Sequence, residues 1–169
     1  MVVSAIVEIP FGSTNKYEYD LAPARIRLDR VLFSAAHYPV NYGFIPETWA
    51  EDNDPLDVLM ISSTSIFPGV EVDVRVLGAL LMEDEHGPDA KVIGVVDRDP
   101  RWADVKALRD LGAHRLQEIQ HFFREYKTLQ GIETTVGAYQ PETVAWDLLH
   151  QSRARFVAKK RSEQTFPLS

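Results

Sequence analysis

The sequence is organised around residues 51–58, which read Glu51-Asp52-Asn53-Asp54-Pro55-Leu56-Asp57-Val58. Three aspartates fall within six residues here, and like charges at such spacing repel one another. Pro55 lacks an amide hydrogen and disfavours helix at the residue before it, so the carboxylates sit on an extended or turning segment. On such a backbone Asp52 and Asp54 point to the same side, while Asp57 lies at the start of an apolar run. The cluster is either a solvated acidic loop or a cage for hard divalent cations. Composition alone favours the loop, and the apolar run shifts the balance towards the cage because it draws Asp57 into the fold.

The composition is that of an ordinary globular protein. The 169 residues, 45% hydrophobic and 25% charged, predict a single domain over residues 1–169 with a substantial core. Lys and Arg number 18 against 25 Asp and Glu, a formal charge of −7 that argues against a nucleic-acid partner. The absence of cysteine excludes disulfides and thiolate metal sites and fits a cytoplasmic location. The apolar start lacks a basic leader and is broken by Glu8 and Pro10, so we expect neither a signal peptide nor a membrane span.

The first 100 residues have the pattern of strands and the last 70 the pattern of helices. Alternation, or an apolar run between turn residues, predicts strands over residues 2–9, 15–20, 24–30, 56–61, 70–82 and 90–96. Ala22-Pro23 predicts a hairpin turn, and residues 37–46 are expected to form a structured loop. Helices are predicted over residues 101–110, 114–129 and 141–160, with a frayed tail from residue 161. This order predicts an α+β fold in which a small closed β-barrel carries helices on its outside.

A second acidic cluster, Glu83-Asp84-Glu85-His86-Gly87-Pro88-Asp89-Ala90-Lys91, lies between two predicted strands. Alone it reads as a polar hairpin loop, which Gly87-Pro88 supports. Two carboxylate-rich loops on one small barrel would, however, supply enough oxygen ligands for two or more Mg²⁺ or Mn²⁺ ions. The candidate ligands are Asp52, Asp54, Asp57, Asp84, Glu85 and Asp89.

Cationic and phenolic side chains stand beside these carboxylates or at the ends of predicted elements. They are Lys16, Arg30, Tyr38, Tyr42, Lys91, Tyr126 and Lys127, and any one of them taken alone reads as a surface or core-edge residue. As a set, metals held by carboxylates together with Lys, Arg and Tyr donors are what phosphoryl transfer requires. The glycine-rich nucleotide motifs and the H-E-x-x-H zinc motif are absent, and of the histidines only His86 is a site candidate.

At this point the residues resemble a family. Asp52-Asn53-Asp54-Pro55-Leu56-Asp57-Val58 is similar to the signature D-x-D-P-x-D-x of the soluble family I inorganic pyrophosphatases. Further matches follow in order along nearly the whole chain: Glu8-Ile9-Pro10, Asn15-Lys16-Tyr17-Glu18, Leu28-Asp29-Arg30, Tyr38-Pro39-x-Asn41-Tyr42-Gly43, Phe67-Pro68-Gly69, Asp84-Glu85 through Asp89-x-Lys91, and His121-Phe122-Phe123-x-x-Tyr126-Lys127. The runs Asp84-Glu85-His86-Gly87 and Asp99-Pro100-Arg101-Trp102 look most like the actinobacterial branch.

The resemblance implies a five-stranded OB-like barrel with flanking C-terminal helices that hydrolyses pyrophosphate with several Mg²⁺ ions, with Mn²⁺ and Zn²⁺ as the expected substitutes. By the same resemblance Asp54 is the catalytic base, and Asp57 bridges the first two metals. The metal ligands it implies, together with Glu85 as a candidate, are Glu8, Glu18, Asp52, Asp57, Asp84, Glu85 and Asp89. The implied phosphate ligands are Lys16, Arg30, Tyr42, Lys91, Tyr126 and Lys127, with Tyr38 and His86 as supporting residues. A homo-oligomer, with a hexamer favoured, is the implied assembly.

Two other readings compete with this one. An OB-like barrel can bind oligonucleotides, but that function needs a basic groove around its aromatic residues and the charge of −7 disfavours it. A different metal-dependent phosphohydrolase, acting on nucleotides or phosphoesters, would use the same residue types.

Overall fold

The computed structural model describes residues 1–85 and 87–165, so His86 and the tail beyond residue 165 lie outside the described residues. Its strands are β1 (Val2–Ile9), β2 (Asn15–Leu21), β3 (Ala24–Val31), β4 (Asn41–Phe44), β5 (Asp57–Ile61), β6 (Glu71–Asp84), β7 (Gly87–Pro88), β8 (Lys91–Val96) and β9 (Thr135–Pro141). Its α-helices are α1 (Ala113–Glu125) and α2 (Glu142–Thr165). Short 3₁₀ helices occupy Pro100–Trp102, Leu108–Leu111 and Thr128–Gln130.

Five of these strands close into a barrel. β1 pairs with β4, β4 with β5, β5 with β8 and β8 with β6, and β6 returns to pair with β1. The β5–β8 pairing is parallel and the other four are antiparallel. β6 is 14 residues long, so its first part can pair with β1 and its middle part with β8. The predicted α+β fold, a small closed OB-like barrel with flanking C-terminal helices, is confirmed.

The strand β5 is covered on both faces. Val58 and Met60 belong to an apolar cluster that also takes residues from β1 and β6, and Leu59 and Ile61 belong to a second cluster that includes residues of α1. Side chains alternate across a strand, so this division places the two clusters on opposite faces of the sheet. Asp57, the first residue of β5, therefore begins a strand that is packed on both faces.

β2 and β3 form a separate hairpin outside the barrel, with the predicted turn at Ala22-Pro23. The pairing sets Lys16 opposite Arg30 and Glu18 opposite Arg27. The hairpin thus carries cations and carboxylates side by side next to the barrel.

Two predictions of local structure were wrong because tertiary pairing decided the outcome. Residues 37–46, expected to be a loop, contain β4, which fits between β1 and β5. A Cβ at Gly43 would lie 1.9 Å from the carbonyl oxygen of Ile6, so only glycine permits this close pairing. The strand β9 was not predicted, and it pairs with the second half of β6.

The helices also differ from expectation. Residues 101–110 do not form an α-helix, because the carboxylate of Asp110 accepts the amides of Lys106 (2.9 Å) and Ala107 (2.8 Å) and competes with helical bonding. The helix predicted over residues 114–129 ends at Glu125 and is followed by a 3₁₀ turn. The last helix continues past Arg161 to Thr165, where fraying was predicted.

Candidate active site

Three hydrogen bonds close the first acidic loop, which contains residues 51–58. At its base the hydroxyl of Thr48 accepts the amide of Leu56 at 2.8 Å, and higher up the amide of Ala50 donates to the carbonyl of Asp54 at 2.7 Å. At the tip the amide of Asp54 donates to the Asp52 carboxylate at 3.2 Å. The sequence supports this turn through Pro55 and through Asn53, which adopts a left-handed φ of 68°.

The loop opens onto a cavity of 390 Å³ between the barrel and the β2–β3 hairpin. Six carboxylates and one lysine provide its charged lining, namely Glu8, Glu18, Asp20, Asp52, Asp54, Asp57 and Lys16. Aromatic and apolar side chains provide the rest, namely Tyr17, Tyr19, Leu21, Tyr42, Phe44, Trp49 and Pro55. The lining therefore holds a large excess of negative charge.

Two of these carboxyl groups have raised pKa values. Burial raises the pKa of Glu8 to about 8, with a further contribution from the charge of Asp57, although Glu8 accepts the amide of Tyr19 at 2.9 Å. Burial, with the charge of Asp57 adding to it, raises the pKa of Asp52 to about 6. At both groups burial and neighbouring negative charge outweigh the stabilising contacts, and a bound cation would offset this effect.

Lys91 joins the two acidic loops. Its ammonium donates to Asp57 at 2.7 Å, to both oxygens of Asp89 at 2.8 and 3.0 Å, and to the hydroxyl of Tyr42 at 3.1 Å. Tyr42 in turn donates to Asp57. The Lys91 side chain is only 2% exposed, and its ammonium lies 5.2 and 5.5 Å from the ring centroids of Tyr42 and Phe123. Although burial alone would lower it, the pKa of Lys91 is raised by these carboxylates, so the lysine stays charged.

Lys127 plays a similar part in the second acidic loop. Its ammonium donates to Asp84 at 2.8 Å and to the two oxygens of Glu85 at 3.1 and 3.0 Å.

The charges of the two acidic loops also affect one another. Burial raises the pKa of Asp89, and the charges of Asp57 and Asp84 contribute in the same direction. The two acidic loops, which lie about 30 residues apart in sequence, therefore form one continuous charged cluster.

The β2–β3 hairpin contributes a second set of ion pairs. Lys16 donates to Glu18 at 2.7 Å and to Asp29 at 3.2 Å. Arg30 donates to Asp29 at 2.8 Å and to the side-chain oxygen of Gln130 at 2.7 Å. Gln130 follows α1, so this last contact ties the hairpin to the helical part of the chain.

The donor set fits a hard divalent cation. All candidate ligands are carboxylates, and oxygen ligands are what Mg²⁺ and similar ions prefer. In the described part of the chain, no three His, Cys, Asp or Glu side chains converge as a metal-binding group. The contacts above give a reason, because the ammonium groups of Lys91 and Lys127 draw the carboxylates of the second acidic loop towards themselves.

Most of the predicted site residues come together. Seven of them line the cavity, namely Glu8, Lys16, Glu18, Tyr42, Asp52, Asp54 and Asp57. The others are joined to these residues or to one another by ion pairs and packed rings, namely Arg30, Tyr38, Asp84, Glu85, Asp89, Lys91, Tyr126 and Lys127. The predicted supporting residue His86 lies outside the described residues. Lys91 is more deeply buried than its predicted role as a phosphate ligand suggests.

Sequence reasoning missed several residues of the cavity lining. Asp20 shares a strand face with Lys16 and Glu18, and that alternation was a signal that could have identified it. Trp49 and Phe44 also line the cavity, and nothing in their local sequence marks them as site residues.

A closed β-barrel that carries a carboxylate-lined cavity, with buried lysines and tyrosines beside it, defines a metal-dependent phosphohydrolase. The model of the family "Inorganic pyrophosphatase" matches residues 5–157 of the chain. The chain belongs to the inorganic pyrophosphatase family, and the predictions of family and enzyme class are confirmed. Membership of this family implies a divalent metal cofactor.

Individual relatives agree with this assignment. The inorganic pyrophosphatase of Halalkalibacterium halodurans is 50% identical over 155 residues, which cover 92% of this chain and 95% of that protein. That of the actinobacterium Leifsonia xyli is 49% identical over 125 residues, 74% of this chain and 77% of that protein. The crystal structure of inorganic pyrophosphatase from Thermus thermophilus superimposes with a TM-score of 0.89 at 49% identity, covering 92% of this chain and 91% of that one. Among the described residues, no helix has the length and apolar character needed to cross a membrane.

Proposed function

We propose that this chain hydrolyses inorganic pyrophosphate to two phosphates, with several Mg²⁺ ions as its cofactor and Mn²⁺ or Zn²⁺ as substitutes. The observation that carries the proposal is the cavity whose charged lining is six carboxylates and one lysine. Two negatively charged partners, a carboxylate cluster and pyrophosphate, can share such a cavity only if cations neutralise them.

Asp52, Asp57 and Asp89 would hold a first metal, and Asp57 would also help to hold a second. The further proposed ligands are Glu8, Glu18, Asp84 and Glu85. When bound, the cations would supply charge neutralisation for the phosphates and increase the acidity of coordinated water. The raised pKa values of Glu8 (about 8) and Asp52 (about 6) support the assignment, because bound metal would replace the protons that these groups hold.

Asp54 is the proposed general base. It lines the cavity beside Asp52 and Asp57, and its position is fixed by the backbone bond from Ala50 and by the bond of its amide to Asp52. These bonds place the backbone of Asp54 at the cavity, where its carboxylate could take a proton from an attacking water.

The cationic and phenolic side chains are proposed to bind the phosphates. Lys16 and Tyr42 line the cavity directly, and the remaining proposed ligands are Arg30, Lys91, Tyr126 and Lys127, with Tyr38 in support. Because Lys91 and Lys127 already bind carboxylates, we propose that they also hold those carboxylates in place.

The domain organisation, cellular location and assembly of the protein are also proposed, from the sequence. They comprise a single domain over residues 1–169, a cytoplasmic location and a homo-oligomer, with a hexamer favoured. Light scattering that gives a particle of about 19.2 kDa, the mass of one chain, would contradict the oligomer.

Replacement of Asp54 tests the proposed mechanism. Asp54→Asn is nearly isosteric, so folding and metal binding should survive while the rate falls by about 10²-fold or more, the usual effect of losing a general base. The matched variant Asp57→Asn should weaken Mg²⁺ affinity as well as the rate. Turnover measured against Mg²⁺ concentration separates the two cases. Recovery of the full rate of Asp54→Asn at high Mg²⁺ would identify Asp54 as a ligand and refute its role as base.

A further inference from the structure

The last helix holds the acidic loop from its outer side. Both backbone polar groups of Trp49 bond to α2, since its amide donates to the carbonyl of Ser152 at 2.9 Å and its carbonyl accepts from Arg155 at 3.4 Å. Arg155 also donates to the Glu51 carboxylate at 2.8 Å. The ammonium of Lys159 lies 3.0 Å from the centroid of the Trp49 ring. We refer to Ser152, Arg155 and Lys159 as the α2 clamp.

The clamped residues lead directly into the proposed metal ligands. Glu51 immediately precedes Asp52, and the amide of Ala50, between the two clamped residues, donates to the carbonyl of Asp54 at 2.7 Å. Trp49 itself lines the cavity. A shift of this segment relative to α2 would therefore move Asp52 and Asp54 relative to Asp57, which a different element, β5, holds in place.

The charges of the clamp also favour the loop conformation. The loop concentrates negative charge, and Arg155 pairs with Glu51, the carboxylate next to Asp52. An arginine can bond two acceptors through its planar fork, and here the fork spans a backbone carbonyl and a carboxylate of the same loop. Lys159 adds a cation against the face of Trp49, a contact that orders both side chains.

We propose that Arg155 and Lys159 are positioning residues that pre-organise the acidic loop for divalent metal. This inference rests on the proposed function in one respect, namely that Asp52 and Asp54 serve the metal site. Neither residue belongs to the cavity lining, so Arg155 acts through Trp49 and Glu51, and Lys159 acts through Trp49. The family model ends at residue 157, so Lys159 lies beyond the part of the chain that it matches.

The test compares two double variants that remove the same two positive charges from the same helix. Arg155→Met/Lys159→Met removes the two cationic contacts of the clamp and keeps the backbone bond to Ser152, whereas Arg153→Met/Lys160→Met removes two exposed cations. For wild type and both variants, free Mn²⁺ is titrated by electron paramagnetic resonance, and phosphate release is measured against Mg²⁺ concentration. Hydrogen exchange of the peptide over residues 49–54 reports on the loop, and circular dichroism with thermal unfolding checks the fold.

Loss of the clamp should weaken Mn²⁺ binding about 10-fold, the lower end of the range for residues that support metal ligands. The Mg²⁺ concentration for half-maximal rate should rise by a similar factor, while kcat at saturating Mg²⁺ falls by less than about threefold, because the loop is misplaced without any ligand being lost. Exchange over residues 49–54 should be faster, and the control variant should match wild type in each measurement.

Other results would overturn the inference. A Mn²⁺ affinity within twofold of the control variant would show that α2 does not position the loop, even if thermal stability fell. Wild-type protein that binds no Mn²⁺ would overturn it as well. In a third outcome, wild-type protein binds Mn²⁺ and loss of the clamp weakens that binding as expected, but wild-type protein releases no phosphate from pyrophosphate. That outcome would refute the proposed function and still support the positioning role of the clamp.

Discussion

Replacement of Lys91 by methionine is the sharpest test of how the two acidic loops are held together. Methionine keeps most of the apolar length of the side chain and removes the charge, so the packing against Tyr42 and Phe123 largely survives. The change deletes the bonds to Asp57 (2.7 Å) and Asp89 (2.8 and 3.0 Å) and leaves two carboxylates without their cation. Removal of one partner from a buried ion pair costs about 3–5 kcal/mol, and the 2% exposure of Lys91 places it in that class.

The pH dependence of this loss has a definite sign. Burial already raises the pKa of Asp89 and Lys91 opposes that rise, so the variant should hold the Asp89 proton still more tightly when folded. A carboxyl group with a raised folded pKa loses stability as pH rises from its unfolded value through its folded value. The deficit of Lys91→Met relative to wild type should therefore be larger at pH 8 than at pH 5.

Urea unfolding in the presence of a chelator, at both pH values, measures the deficit. Lys160→Met, which removes an exposed lysine, serves as the control and should cost less than about 1 kcal/mol. A loss for Lys91→Met no larger than that of the control, or the same loss at pH 5 and pH 8, would show that Lys91 does not stabilise the two acidic loops by charge.

Two further predictions concern the barrel and the cavity. A Cβ at position 94 would lie 2.4 Å from a methyl of Val74 and 2.6 Å from the carbonyl of Arg75, so Gly94→Ala should destabilise the protein by about 1–3 kcal/mol or more in denaturant unfolding, and a neutral effect would contradict the packing. As proposed metal ligands, Glu8 (pKa about 8) and Asp52 (pKa about 6) would have to lose their protons on binding, so Mg²⁺ affinity should fall as pH decreases from 8 to 6. Calorimetric titration should detect proton release on binding, and a pH-independent affinity would contradict these pKa values.

The strands were predictable where their sequence alternates or forms a continuous apolar run. β1, β6 and the β2–β3 hairpin were identified in this way, within a few residues of their bounds. β4 was not predicted, because prolines flank it and a glycine lies within it. Its conformation is set by its neighbours in the barrel. The residues before Gly112 were misread as helix because the bonding of Asp110 to nearby amides leaves no periodic signal.

The candidate site was predictable in its residue types and much less in its contacts. The two acidic loops and the cations around them can be read directly from the chain. The pairing of Lys127 with Asp84 spans 43 residues, and that of Arg155 with Glu51 spans 104, so only the closed barrel and the packing of α2 bring them together. The fold likewise decides which lysines are buried against carboxylates and which one lines the cavity.

Phosphate release from pyrophosphate, with and without Mg²⁺, tests the central claim most directly. Because the six carboxylates of the cavity lining repel pyrophosphate unless cations neutralise them, hydrolysis should require Mg²⁺, stop after exhaustive chelation and resume when Mg²⁺ is restored. ATP and a phosphomonoester, assayed alongside, should yield much less phosphate. Undiminished hydrolysis after chelation, or equal hydrolysis of all three substrates, would contradict the account.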